Sequence, residues 1–108
     1  MAELNAAGQA PLAVRTTQED GVPVISVAGE LDLTNATELR SAIEAVLSGH
    51  DQRIVFEVRQ LTYMDSSGIA LFAYAAGQDR EVELRDPTAI VRRLIEMTGL
   101  NEVLHIAP

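Results

Sequence analysis

The sequence predicts an α/β protein: a mostly parallel central sheet of about five strands, opened by an N-terminal antiparallel hairpin and carrying about three helices. Three observations predict it. Short strand-like runs alternate with runs of helical spacing in the order β-β-α-β-α-β-α-β, and such alternation packs helices on a parallel sheet. The first two strand-like runs are joined by "EDG" (19–21), which is turn chemistry. The chain of 108 residues is 47 % hydrophobic and only 4 % aromatic, so it can bury a core built mostly of Val, Leu, Ile and Ala.

Each element has its own justification. Residues 1–11 are small and polar and close on Pro11, which reads as a flexible N-terminal arm ahead of one domain over 12–108. "LAVRTTQ" (12–18) alternates weakly as a first strand, and "VPVISVAGE" (22–30) does so better. Pro23 places that point of the second strand at an edge or a strand end, because proline donates nothing to a ladder. "NATELRSAIEAVLS" (35–48) is an amphipathic helix with Ala36, Leu39, Ile43, Val46 and Leu47 on one stripe. Asn35 and Glu38 have the spacing of a capping box, and Gly49 stops the helix. "RIVFEVR" (53–59) starts apolar on both faces, as a covered central strand would. "IALFAYAA" (69–76) is an apolar helix ending at Gly77, and "EVELR" (81–85) is a short strand. In "DPTAIVRRLIEMTG" (86–99) Asp86 can cap a helix, Pro87 suits its first turn and Gly99 closes it. Its stripe is Ile90, Val91, Leu94 and Met97, with Arg92 and Arg93 on a solvated face. "EVLHIA" (102–107) is a last strand.

The totals exclude several functions. A net charge of −8 and no clustered basic residues argue against nucleic acid or an anionic membrane as a direct partner. With no cysteine there is no disulfide or thiolate site, and His50 and His105 lie far apart without ligand spacing, so no metal and no cofactor is expected. No stretch approaches the roughly 20 apolar residues of a membrane span, and "MAELNAAGQAP" lacks the basic start of a signal peptide. A cytoplasmic protein is expected.

The segment "QLTYMDSSGIALF" (60–72) is where chemistry concentrates. "MDSSG" follows the third strand and opens a helix, so it lies beyond the carboxyl end of a parallel strand, where open α/β sheets place their sites. Asp65 or Ser66 can cap the helix. Ser67 then falls in the first turn, able to face solvent, and Gly68 keeps the surface low for another backbone. "GELDLTNAT" brings Asp32, Thr34 and Asn35 to the equivalent end of the preceding unit. If the two strands are neighbours, both polar clusters share one rim. Ordinary capping accounts for the same residues. Catalysis does not follow: serine is a weak nucleophile without a base, and the chain has neither a G-x-S-x-G elbow nor a P-loop. Met64, Tyr63 and Phe72 read as packing, and Tyr74 is open.

"GELDLTNATELRSAI" followed by "IVFEVRQLTYMDSSGIALF" resembles the STAS domain of bacterial anti-sigma-factor antagonists, and "TAIVRRLIEMTGLNEVLHI" resembles that family's closing helix and strand. The likeness runs from about residue 12 to 107. It implies a STAS-type fold and a non-enzymatic, partner-switching regulator. By position Ser67 matches the serine phosphorylated by a cognate anti-sigma factor with serine kinase activity. The unmodified form binds that factor and releases the sigma factor; the phosphorylated form lets go, and a serine phosphatase resets it. Asp32 matches an acid near the phosphoacceptor, and Thr34, Asn35, Asp65, Ser66, Ser67 and Gly68 fall on the implied binding rim. Between "DSSG" and the last helix the chain is about four residues, roughly one helical turn, shorter than the family pattern. "AAGQDREVEL" stands where a basic helical continuation is usual, which bears on partner identity. The alternative is a STAS module that works without phosphorylation as a subunit of a transport complex or signalling assembly.

Overall fold

The longest strand organises the sheet. In the computed structural model, which describes residues 11–108, this strand is β2 (Val22–Leu31). β1 (Ala13–Glu19) runs antiparallel along it from Ala13↔Ala28 to Glu19↔Val22. Asp20 and Gly21 between them have φ of 51° and 81°, the doubly left-handed turn whose twist suits a two-residue hairpin. The predicted hairpin is therefore present. Of the expected arm, all but Pro11 lies outside the described residues.

β3 (Arg53–Glu57) lies parallel to the first half of β2, in the register Val24↔Val55 to Ser26↔Glu57. β5 (Glu81–Arg85) and β6 (His105–Ala107) follow outward, both parallel, giving the order β1-β2-β3-β5-β6. The sixth strand, β4 (Leu61–Met64), is one more than the sequence predicts. It pairs with the second half of β2, Gly29↔Leu61 and Leu31↔Met64, with a register shift between Gly29 and Glu30. What reads as one strand over 53–59 thus ends at Glu57. Val58 N–H closes the ladder to β5 at the Arg85 carbonyl, and Gly29 N–H bonds the Gln60 carbonyl across the jog. Pro23 sits on an interior strand but ahead of Val24, where pairing with β3 begins, so it marks a strand end and not an edge.

The helices are α1 (Ala36–Leu47), α2 (Ser66–Ala76) and α3 (Ala89–Met97), with a 3-10 turn at Leu100–Glu102. From β2 each crossover steps the same way across the sheet. With right-handed connections that puts all three helices on one face. The core agrees: Ile25, Val27, Ile54, Phe56, Val82 and Leu84 pack with Leu39, Ile43, Phe72, Val91 and Ile95. Phe56 meets Phe72 edge to face, ring centres 5.0 Å apart.

The other face carries no helix, contrary to the reading of β3 as covered on both sides. Val24 and Val55 are nonetheless 2 % and 1 % exposed. In register with Val55 stands Glu83, which binds Arg53 at 2.6 Å and Arg85 at 3.5 Å, while Arg85 reaches Glu19 at 3.0 Å. By strand alternation all four side chains lie on the valine face, and the arginine stems supply the apolar cover there.

Three local expectations are corrected. Asn35 precedes α1, but no capping box forms, because its side chain is engaged with the preceding loop. The cap of α3 is Thr88, whose hydroxyl accepts from Val91 N–H at 3.4 Å. Asp86 instead takes a left-handed φ of 57° and donates its N–H to the Ala107 carbonyl, so Pro87 lies outside the helix. With α3 starting at Ala89, its buried residues are Val91 and Ile95, and Ile90 and Met97 on the flanks are exposed. Arg92 and Arg93 are exposed as expected. The last strand keeps only 105–107 of the expected 102–107, since the 3-10 turn takes its beginning.

Candidate functional site

Both polar loops leave the sheet side by side. Leu31 ends β2, Met64 ends β4, the two are in register, and Asp65 N–H bonds the Leu31 carbonyl at 3.1 Å. The condition for a shared rim is met, through the strand that the sequence does not reveal.

The first loop is tied by its own side chains. Asn35 Oδ1 accepts from Asp32 N–H at 2.9 Å, and Asn35 Nδ2 donates to the Glu30 carbonyl at 2.8 Å. Asp32 Oδ1 accepts from the N–H and the hydroxyl of Thr34, and the Asp32 carbonyl accepts from Asn35 and Ala36 N–H at the start of α1. Asn35 and Asp32 are both half-buried, Asn35 fixing the loop, and Thr34 is exposed.

In the second loop Asp65 is the cap of α2, its Oδ1 accepting from Ser67 N–H at 2.8 Å. The Asp65 carbonyl takes the N–H groups of Gly68 and Ile69. Ser66 is exposed and Ser67 half-buried. Among the described residues the Ser67 hydroxyl has no hydrogen-bond partner. Gly68 faces inward: a Cβ there would stand 2.7 Å from Leu31 Cδ2 and 3.0 Å from Met64 Cβ. Its service is to let α2 lie against the sheet, so the expectation that it lowers the outer surface for a partner's backbone is corrected.

Ser67 opens into a cavity of about 320 Å³ between α1 and α2, lined also by Leu33, Thr37, Arg40, Leu71 and Tyr74. Leu33 is 79 % exposed at its lip. At the far end Tyr74 donates its hydroxyl to Glu44 Oε1 at 2.9 Å. The Arg40 guanidinium lies 5.8 Å from the centre of the Tyr74 ring and 3.9 Å from Glu44. The hydrogen bond to Glu44 holds the Tyr74 phenol above its ordinary pKa, and Arg40 opposes that effect.

The sequence reading missed Leu33 and Arg40 and left Tyr74 open. Leu33 had a signal, being an apolar residue between two loop-tying polar ones and off the helix stripe. Tyr63, expected to pack, is 41 % exposed, whereas Met64 and Phe72 are buried as expected. His50 precedes β3 and His105 begins β6, so both stand at the end of the sheet away from Ser67. Neither can act as its base. Among the described residues no helix is long and apolar enough to cross a membrane.

Comparison with known proteins places the fold. An anti-sigma-B factor antagonist of Staphylococcus aureus is 30 % identical over 99 residues, covering 88 % of this chain and 92 % of that one. The crystal structure of an anti-sigma factor antagonist from Mycobacterium paratuberculosis matches with a TM-score of 0.84 at 27 % identity, over 91 % of this chain and 86 % of that one. The antagonist SpoIIAA in its unphosphorylated form, at 24 % identity and a TM-score of 0.75 over 89 % of each chain, shares the fold. The family model described as "Mlab, STAS domain" matches residues 14–106, and with the one-sided sheet and its two-loop rim this chain belongs to the STAS domain family.

Proposed function

We propose that the chain is an antagonist of an anti-sigma factor, a non-enzymatic regulator of transcription acting in the cytoplasm. Its rim binds the anti-sigma factor while Ser67 is unmodified and lets go when Ser67 is phosphorylated. One observation carries the reading: a serine hydroxyl, unbonded among the described residues, at the mouth of an apolar groove where two acid-bearing loops meet. The anti-sigma factor antagonists among its relatives support it.

The anti-sigma factor is itself the serine kinase. Ser67 Oγ attacks the terminal phosphorus of a nucleoside triphosphate held by the kinase, the hydroxyl proton passes to a base of the kinase, and the diphosphate leaves. A serine phosphatase reverses the change with water. The modification adds roughly −1.5 to −2 charges to a neutral group. The carboxylates of Asp32 and Asp65 share the rim, and burying like charges against a partner is costly without matching cations. The fold survives, because the core lies beneath the rim; the docking does not.

The experiment is a binding comparison with the cognate kinase-type anti-sigma factor. Wild type and Ser67→Ala are expected to bind alike. Ser67→Asp should bind at least about tenfold more weakly, which corresponds to about 1.4 kcal/mol. Equal binding by all three proteins overturns the switch and leaves a STAS module that works without phosphorylation.

A further inference from the structure

We propose that Arg40 is the internal partner of the Ser67 phosphate: on phosphorylation its guanidinium leaves Glu44 and Tyr74, pairs with the phosphate, and closes the groove between α1 and α2. This rests on phosphorylation of Ser67 and states how the molecule reads that modification.

A phosphate on Ser67 needs donors, and most N–H groups at the helix start are already engaged. The N–H of Ser67 is held by the Asp65 carboxylate, and those of Gly68 and Ile69 by the Asp65 carbonyl. The cation must therefore come from a side chain. All eight basic residues are arginines, and the positions of the others remove them. Arg53 and Arg85 are engaged on the open sheet face, where Arg15 and Arg59 also line a hollow. Arg80 donates to the carbonyls of Leu47, Gly49 and Asp51 at and just past the end of α1, and Arg92 and Arg93 are on α3. Arg40 lines the same cavity as Ser67.

Its present hold is weak. The contact with Glu44 is 3.9 Å long with side chains 62 % and 47 % exposed, a surface pair of little energy. Tyr74 and Glu44 are already hydrogen-bonded to each other and do not depend on Arg40. A doubly charged phosphate offers arginine a bidentate, charge-assisted pair that neither Glu44 nor the ring can match. Ser67 and Tyr74 are seven residues apart on α2, about 10.5 Å at 1.5 Å per residue, so both ends of the groove lie within the sweep of one long side chain. Once swung, Arg40 lies across the apolar walls formed by Leu33 and Leu71. Release then follows from lost shape as well as from added charge.

The test uses the full chain with phosphoserine encoded at position 67, in three forms: Arg40 intact, Arg40→Gln and Arg40→Lys. Phosphorus NMR follows the second ionisation of the phosphate with pH. A nearby cation favours the doubly charged form. The titration midpoint is therefore expected at least about half a pH unit lower with Arg40 than with Arg40→Gln, with Arg40→Lys between them. The Tyr74 ring resonances should also move on phosphorylation when Arg40 is present and stay put in Arg40→Gln. Equal phosphate midpoints in all three forms overturn the proposal. Because the phosphate is installed during translation, this outcome is separate from whether an anti-sigma factor distinguishes the modified form. Arg40 is mostly exposed, and the lysine variant tests the charge if the glutamine variant folds poorly.

Discussion

Gly68 is buried in the first turn of α2, and Ser67 beside it owes its position to that burial. A methyl group at 68 would meet Leu31 Cδ2 at 2.7 Å and Met64 Cβ at 3.0 Å, both in fully buried side chains. Gly68→Ala should cost about 1–3 kcal/mol in a denaturant melt and lift the start of α2 from the sheet. Asn35→Asp should be costly for a different reason. It replaces the donor to the Glu30 carbonyl with a second acceptor, at about 1–3 kcal/mol. Tyr74 offers a spectroscopic check. Its folded pKa lies above the ordinary phenol value because Glu44 accepts its proton in a hydrogen bond. The bond's contribution is thus complete below about pH 10 and fades as pH rises through the higher folded value. Glu44→Gln should bring the phenolate absorbance in at lower pH. At this scale the cap Asp65 and the loop acid Asp32 were legible in sequence, since such residues announce themselves by type and place. Arg40 and Tyr74 were not, because their meeting depends on how two helices lie against each other.

Elements were legible where periodicity was long. α1 shows its stripe over three turns and was found almost to the residue. β4 was hidden: Leu61 and Met64 are buried while Thr62 and Tyr63 are both exposed, so the four residues do not alternate. A strand of that length is recognised by its neighbour, and the neighbour here is the far half of β2. The same dependence explains α3. Asp86 and Pro87 looked like a helix start, but Asp86 is taken by the end of β6 and the cap passes to Thr88. Thr88 Oγ1 also donates to the Leu61 carbonyl at 3.1 Å, joining α3 to β4. Thr88→Val keeps the shape and removes both bonds. It is expected to lower stability by about 1–2 kcal/mol and to speed amide exchange in β4.

For the whole molecule, alternation of elements was enough to predict a parallel sheet, but it does not say how many faces the helices cover. That follows from strand order. One-directional winding leaves Val24 and Val55 beneath a set of ion pairs in place of a second helical layer. Those pairs differ in worth. Glu83 is 8 % exposed and serves two arginines, whereas Glu19 is at the surface with its side chain 54 % exposed. Glu83→Gln should cost about 2 kcal/mol and Glu19→Gln less than about 1 kcal/mol, read as midpoint shifts in urea, the smaller effect vanishing in high salt.

Strand directions also place the two ends of the described residues. β1 begins opposite Ala28, and the Pro11 carbonyl lies close against Gly29; β6 runs parallel to β2 and finishes level with Ser26, short of the end of β2. Pro11 and Ala107 therefore both lie toward the pole that bears Ser67 and away from the hairpin tip. A fluorophore joined at either place would report docking sensitively, and a bulky fusion would obstruct it. The hairpin tip at Asp20 and Gly21, at the opposite pole, is the spot for immobilising the protein with its working end free.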